Sequence, residues 1–130
     1  MRRDTLEIDT PSGELVAGSM LRGRVCVPPT WRRPYTAVTL VLRWTTEGKG
    51  DRDGGRRTLP LFDAGRGSPP EDLPFEVRLP TGPWSYDGTL LKIRWVMRLE
   101  MSDRTTQSSV EDIPFVLLSP YLAGPRGGYR

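Results

Sequence analysis

Hydrophobic and polar residues alternate with a period of two along several stretches of the chain. The clearest stretch runs from Leu90 to Met101, where charged residues occupy one face and apolar side chains share the other, namely Leu91, Ile93, Trp95, Met97, Leu99 and Met101. A helix would scatter both sets around its circumference. The pattern therefore predicts a long strand with one buried and one solvated side.

Other stretches follow the same rule. From Thr36 to Thr46 the apolar residues again share one face, and β-branched residues on the other face predict a central strand. Shorter alternating stretches predict further strands at Leu21–Val27, Leu73–Leu79 and Ile113–Leu117, with weaker candidates at Leu6–Asp9, Glu14–Val16 and Thr58–Phe62.

Clusters of turn-forming residues separate these stretches, and no connection carries a helical pattern of useful length. Seven or eight short strands at this spacing predict an all-β fold, a two-sheet antiparallel β-sandwich whose core is formed by the apolar strand faces. We expect one domain over residues 1–122 and a flexible, glycine-rich tail over residues 123–130.

The amino-acid composition excludes several kinds of catalytic and metal-binding site. Among 130 residues there is no His and one Cys, Cys26, so the usual Ser-His or Cys-His catalytic pair is excluded, as are His-containing zinc sites and disulfides within the chain. We expect no enzyme activity, no cofactor and no metal site. No apolar run approaches the roughly 20 residues of a membrane helix, and the sequence predicts a cytoplasmic protein.

The order of motifs resembles the N-terminal lobe of arrestin-like proteins. The resemblance rests on "LRGRVCV" followed by Pro-Pro, on "VTLVLRWTTEGKG" from Val38, and above all on "LPFEVRLPTGPWSYDGTLLKIRWVMRLEM" from Leu73 to Met101. It implies an immunoglobulin-like β-sandwich and an adaptor that binds other proteins. Arrestins have two lobes, whereas this chain has the length of one. Their phosphate-binding and polar-core residues cannot be matched here residue by residue, so none is carried over.

Three interpretations of function follow. The leading one is a protein-interaction module of bacterial type with a protein partner of unknown identity. The second is a structural subunit that forms homo-oligomers through sheet edges or faces. The third is binding of an anionic partner through a basic strand face, although nucleic acid is disfavoured because the net charge is only +3.

The loop from Glu47 to Arg57 is a candidate for partner binding, because loops often carry function. Its basic residues are Lys49, Arg52, Arg56 and Arg57. The motif Asp51-x-Asp53-Gly54 superficially resembles a calcium loop, but the later ligand positions hold Gly, Arg and Phe. A solvated hairpin loop is the competing interpretation.

A second candidate combines Trp31 with Arg32, Arg33 and Tyr35, residue types that dominate binding hot spots. The alternative is that Trp31 packs over an open end of the sandwich. A third candidate is the positive stripe Lys92, Arg94 and Arg98 on the polar face of the long strand, for which acidic neighbours are the competing explanation.

The corner Trp84-Ser85-Tyr86-Asp87-Gly88 contains a serine but no base to activate it. A structural role is favoured, with Tyr86 packing its ring and bonding to the backbone as in the tyrosine corner of other sandwiches.

Overall fold

The computed structural model describes residues 6–8, 13–48, 53–88 and 90–123. The strands of these residues are β1 Leu6–Ile8, β2 Glu14–Val16, β3 Met20–Cys26, β4 Ala37–Gly48, β5 Gly54–Phe62, β6 Asp72–Arg78, β7 Tyr86–Asp87, β8 Leu91–Ser102 and β9 Gln107–Leu118. A single helical turn, α1 Pro120–Ala123, follows. Among the described residues, no helix has the length and apolar character that a membrane crossing requires.

The strands form two sheets. The small sheet has the order β1-β3-β6, and the large sheet has the order β2-β9-β8-β4-β5, with β7 also paired to β8. Apolar side chains of both sheets meet in one core, to which the small sheet contributes Leu6, Leu21, Val25 and Leu73 and the large sheet Val38, Leu40, Leu42, Trp95, Met97 and Leu99. The predicted all-β, two-sheet fold is confirmed.

The two longest predicted strands form the centre of the large sheet. β4 and β8 are antiparallel over twelve residues each, with Ala37 opposite Ser102 and Gly48 opposite Leu91. Their alternating apolar positions face the core because successive side chains of a strand point to opposite sides. The weaker candidates are strands as well, and the short strand β7 is an addition that alternation over two residues could not reveal.

One pair of strands departs from the predicted antiparallel arrangement. β2 runs parallel to β9, with Leu15 opposite Leu117. The chain leaves β2 through a turn at Gly18, whose φ of 80° suits glycine, and it enters the small sheet at β3. Because β2 connects to the other sheet and not to its own neighbour, no hairpin forces it to be antiparallel.

Three residues of the long strands β4 and β8 that were expected in the core are less buried than predicted. Leu91 is 40% exposed, whereas Ile93 and Trp44 are half-buried. The physical reason is the difference in strand length: β3 and β6 have seven residues each, against twelve for β4 and β8. The ends of the long strands therefore extend past the small sheet that covers their middle.

Two edge strands are protected against pairing with other chains. β5 is an edge of the large sheet and contains Pro60, and β6 is an edge of the small sheet and contains Pro74. Proline has no N–H to donate, so each of these strands contains one residue that cannot contribute a donor to a sheet ladder. This arrangement disfavours assembly by strand addition at these two edges.

Candidate functional site

Exposed large hydrophobic side chains gather at one end of the sandwich. This end lies where β3 and β8 begin and where β4, β6 and β9 finish. Of eight large hydrophobic residues that are exposed in the described part of the chain, seven lie there; we call them the aromatic end: Met20, Trp84, Tyr86, Leu90, Leu91, Val116 and Tyr121. Such a concentration is typical of an interaction surface, since scattered single residues are the norm.

A groove of about 490 Å³ opens within the aromatic end. It forms where β9 separates from β8 after the pair Trp95–Phe115 and the segment carrying β7 takes its place beside β8. The lining includes apolar side chains and a few polar groups: Ile93, Trp95, Val96, Phe115 and Val116, with Ser85, Tyr86, Asp87 and Arg94. A groove of this size and composition suits a ligand or an inserted side chain.

Hydrogen bonds from the strands fix the walls of the groove. The indole N–H of Trp95 donates to the Pro83 carbonyl at 2.7 Å. The Ser85 N–H donates to the Leu117 carbonyl at 2.8 Å, and the Leu117 N–H donates to the Ser85 hydroxyl at 2.9 Å. Ser85 thus replaces a strand partner for the end of β9, which is the structural role predicted for this corner.

Aromatic packing extends the surface beyond the groove. Trp84 donates its indole N–H to the Thr81 carbonyl at 3.0 Å, and its ring meets that of Tyr121 edge-on at 6.4 Å between centroids. These contacts hold two large rings at the surface, where burial against a partner would contribute further stabilisation.

The expected tyrosine corner is wrong. Tyr86 is 56% exposed, and its ring lies over Gly88, so close that a Cβ there would be 2.6 Å from the ring. The core below is already closed by Trp95, which is 2% exposed and packs on Phe115 at 5.6 Å between ring centroids. Tyr86 is therefore available at the rim of the groove.

The positive stripe is neutralised by acidic neighbours. Lys92 lies 3.6 Å from Asp87, Arg94 lies 3.0 Å from Glu47, and Arg98 lies 2.8 Å from Asp112. The hydrogen bond from Arg98 lowers the pKa of Asp112, and the same contact raises the pKa of Arg98. The acidic neighbours of the competing explanation are therefore present beside each of the three cations.

Two basic residues expected in the loop after β4, Arg56 and Arg57, belong to β5 and point to opposite faces of the large sheet. Arg56 lies opposite Arg43 on the outer face of the large sheet, whereas Arg57 shares the face of Leu42. Both are exposed. Lys49 and Arg52 lie outside the described residues, as do Asp51 and residues 124–130 of the predicted tail. The described residues contain no group of three metal-ligating side chains.

The opposite end of the sandwich carries the Trp31 cluster. Trp31 is half-buried and packs against the core, which confirms the competing interpretation of its role. Arg32 donates to the Val27 carbonyl at 3.0 Å, and Arg33 lies over the Trp31 ring at 5.1 Å and pairs with Asp103. Tyr35 is exposed.

Asp103 organises the turn between β8 and β9. Its carboxylate accepts the N–H groups of Thr105 at 2.9 Å and Thr106 at 2.7 Å. These two hydrogen bonds lower the pKa of Asp103, and the nearby Arg33 adds to the effect.

The lowered pKa values of Asp103 and Asp112 predict a loss of stability in acid. The stabilisation is complete above the ordinary aspartate pKa of about 3.9 and is lost as the pH falls through the lower folded-state values. We expect the urea midpoint to fall modestly between pH 5 and pH 2.5, and Asp103→Asn with Asp112→Asn to flatten this dependence. Glu71→Gln, an exposed carboxyl, serves as the control; an equal flattening there would contradict the assignment.

No family model and no curated protein matches this chain. Assignment of the site therefore rests on its geometry. In β9 the side chain of Val116 points to the other face of the strand from those of Phe115 and Leu117. This alternation is the one sequence signal that Val116 faces outward. Nothing in the sequence links Val116 to Tyr86, because both line the groove only where β9 separates from β8.

Proposed function

We propose that this chain is a non-enzymatic protein-interaction module, an adaptor, that binds an apolar segment of a partner protein at the aromatic end. The observation that carries the proposal is the collection of seven exposed large hydrophobic residues at the end of the sandwich where a groove of about 490 Å³ opens; two of these residues, Tyr86 and Val116, line it. Apolar and aromatic side chains at the centre of an interface supply most of the binding free energy.

The rigidity of the groove supports this function. Trp95 and Ser85 fix its walls through hydrogen bonds to Pro83 and Leu117, so little conformational entropy is lost when a ligand enters. An apolar side chain of the partner would displace water from Ile93, Phe115 and Val116 on the lining. Trp84 and Tyr121 would contact the flanking residues of the same segment.

Catalysis has little support in the composition of the site. The chain has no His, and the hydroxyl of Ser85 is already an acceptor for the Leu117 N–H. A nucleophile needs an adjacent base to remove its proton. The polar groups of the groove serve to orient a bound segment.

We also propose that the sandwich is of the arrestin-like, immunoglobulin-like type. Support comes from the Leu73 to Met101 block, which in the fold comprises β6, the Pro80–Pro83 turn, β7 and the long strand β8. An experimentally determined structure superposed on arrestin lobes tests this classification, and a different strand order would reject it.

Selection from a phage-displayed random peptide library tests the binding function. We expect selected peptides to share a large apolar residue and Val116→Glu to weaken their binding by at least about tenfold, since a charge in an apolar groove is costly. Tyr86→Ala should weaken binding to a smaller degree. Fluorescence anisotropy with labelled peptides gives the affinities.

Tyr35→Ala is the matched control, because Tyr35 is the one exposed large hydrophobic residue among the described residues that lies outside the aromatic end. The affinity of this variant for the selected peptides should equal that of the unaltered protein. Peptides that bind the Val116→Glu variant with full affinity would reject the groove as the site.

Self-association through the aromatic end is the second candidate, corresponding to a structural subunit. It is favoured by the number of exposed apolar residues, although Pro60 and Pro74 disfavour assembly at two sheet edges. Sedimentation equilibrium separates the two functions: an adaptor remains monomeric, whereas a subunit forms oligomers that Val116→Glu dissociates.

A further inference from the structure

The end of the sandwich opposite the aromatic end presents two guanidinium groups on aromatic rings. The Arg104 guanidinium carbon lies 3.8 Å from the ring centroid of Tyr35, and that of Arg33 lies 5.1 Å from the ring centroid of Trp31. Tyr35 and Arg104 both belong to connections at this end, just before β4 and just after β8. We call Trp31, Arg33, Tyr35 and Arg104 the arginine end.

The backbone at Tyr35 is unusual for a bulky residue. Its φ is 70°, and the Thr36 N–H donates to the Arg33 carbonyl at 3.3 Å across the turn. A turn with Pro34 in second place and a positive φ in third place ordinarily has Gly or Asn in that third place. A tyrosine there is strained, so conformational preference alone does not account for it.

The following residue adds a second unfavourable feature. Thr36 is fully buried, and its hydroxyl has no hydrogen-bond partner in the described part of the chain. Strain and unsatisfied polar groups cluster where a conformation is maintained for function. The consequence of this turn is an exposed Tyr35 ring beneath Arg104.

Arg104 is left with unused donors. The neighbouring Asp103 is occupied by Arg33 and by the N–H groups of Thr105 and Thr106, and Arg104 has no ion pair with any described side chain. The cation–π contact with the Tyr35 ring supplies no oxygen acceptor to the N–H groups of Arg104. The planar fork of these groups matches the two oxygens of a carboxylate.

We propose that the arginine end binds an acidic segment of a partner protein through a bidentate contact between Arg104 and a carboxylate. Tyr35 orients the guanidinium and offers its exposed edge to the aliphatic part of the acidic side chain. Charge supports this choice of partner, because Arg104 has no ion pair with a described side chain, whereas each cation of the positive stripe already has a carboxylate. The guanidinium carries one positive charge, which one carboxylate neutralises and a doubly charged phosphate exceeds.

The test uses a fluorescein-labelled peptide of alternating Glu and Gly at low salt, with affinity measured by anisotropy. We expect Arg104→Lys, which keeps the charge but not the fork, to weaken binding by about tenfold, the value of one charge-assisted hydrogen bond. Arg56→Lys is the matched control because Arg56 is exposed on a different face. It should bind as the unaltered protein does.

Tyr35→Gly separates binding from folding. Glycine accepts the positive φ, so the thermal midpoint should stay equal or rise while affinity for the acidic peptide falls. Tyr35→Asn, which also tolerates this φ, should behave in the same way. Full affinity in Tyr35→Gly would overturn the role of the ring.

Competing ligands decide between anion classes. The proposal would be overturned if the Arg104→Lys variant bound the acidic peptide as tightly as the unaltered protein does, or if the unaltered protein did not bind it at low salt. Stronger binding of a phosphoserine peptide or of duplex DNA would also overturn it. Since the aromatic end lies at the opposite end of β4 and β8, Val116→Glu should leave binding of the acidic peptide unchanged. Failure of one site is thereby distinguished from failure of the other.

Discussion

Truncation of Trp95 to alanine is expected to lower the free energy of unfolding by about 3–5 kcal/mol, the range for large aromatic residues in cores. Trp95 is 2% exposed, packs on Phe115 and donates its indole N–H to the Pro83 carbonyl. The variant loses the buried ring and leaves that carbonyl without its donor. Urea denaturation measures the change.

Trp95→Ala should also loosen the segment that forms the groove. The carbonyl of Pro83 precedes Trp84 and Ser85, so loss of its hydrogen bond frees the wall that carries Tyr86. Hydrogen exchange at the amides of Ser85 and Gly88 should accelerate beyond the change in global stability, because those amides bond to Leu117 and Leu91. The affinity of the Trp95→Ala variant for apolar peptides should also fall, because the wall of the groove is less well fixed.

Leu99→Ala is the control for this prediction. Leu99 is fully buried in the core cluster but does not line the groove, and its truncation should cost about 2–5 kcal/mol. In the Leu99→Ala variant, hydrogen exchange at the amides of Ser85 and Gly88 should accelerate only as much as the loss of global stability requires. The same local acceleration in both variants would show that Trp95 has no particular role in fixing the groove.

A side chain at Gly23 is expected to disrupt the small sheet. A Cβ at this position would lie 2.5 Å from the Glu7 carbonyl oxygen and 2.6 Å from the Phe75 ring, so β1 or Phe75 must move. Gly23→Ala should therefore destabilise by about 1–3 kcal/mol, as overpacking does, and Gly23→Val by more. Thermal unfolding gives the ranking.

Gly65→Ala is the matched control, because the nearest atom to its added Cβ is 3.9 Å away. It should change stability by no more than about 0.5 kcal/mol, as surface substitutions do. An unchanged melting temperature in Gly23→Ala would mean that β1 packs less closely on β3 than the contacts indicate.

The two proposed surfaces differ in chemistry and in position. The aromatic end offers apolar rings around a groove, and the arginine end offers a guanidinium fork on Tyr35. β4 and β8 connect them, and twelve extended residues span roughly 40 Å. A copy bound to both partners would hold them at about that separation, as an adaptor requires.

Pairing across strands accounts for the carboxylates that lie beside the positive stripe. Lys92, Arg94 and Arg98 are visible as a row because they lie at nearly regular spacing on one strand. Their acidic partners come from three other segments, at Glu47, Asp87 and Asp112. Register between strands determines these pairs, and alternation along one strand carries no information about register.

The arginine end was predicted in part. Trp31, Arg33 and Tyr35 stood out by residue type, whereas Arg104 did not, because it is a single charged residue in a hairpin turn 69 positions from Tyr35. The antiparallel register of β4 with β8 places Ala37 opposite Ser102 and so brings the two connections together. The positive φ of Tyr35 is likewise a property of the folded turn.

The sequence by itself determined the strands and their buried faces, since alternation with a period of two over twelve residues has no helical equivalent, and it excluded His-dependent chemistry. The tertiary structure alone decided which charges neutralise one another, which aromatic residues stay exposed, and where β9 parts from β8 to open the groove. These features depend on register and on the unequal lengths of the two sheets. Both arise from contacts between residues distant in the chain, which local patterns do not encode.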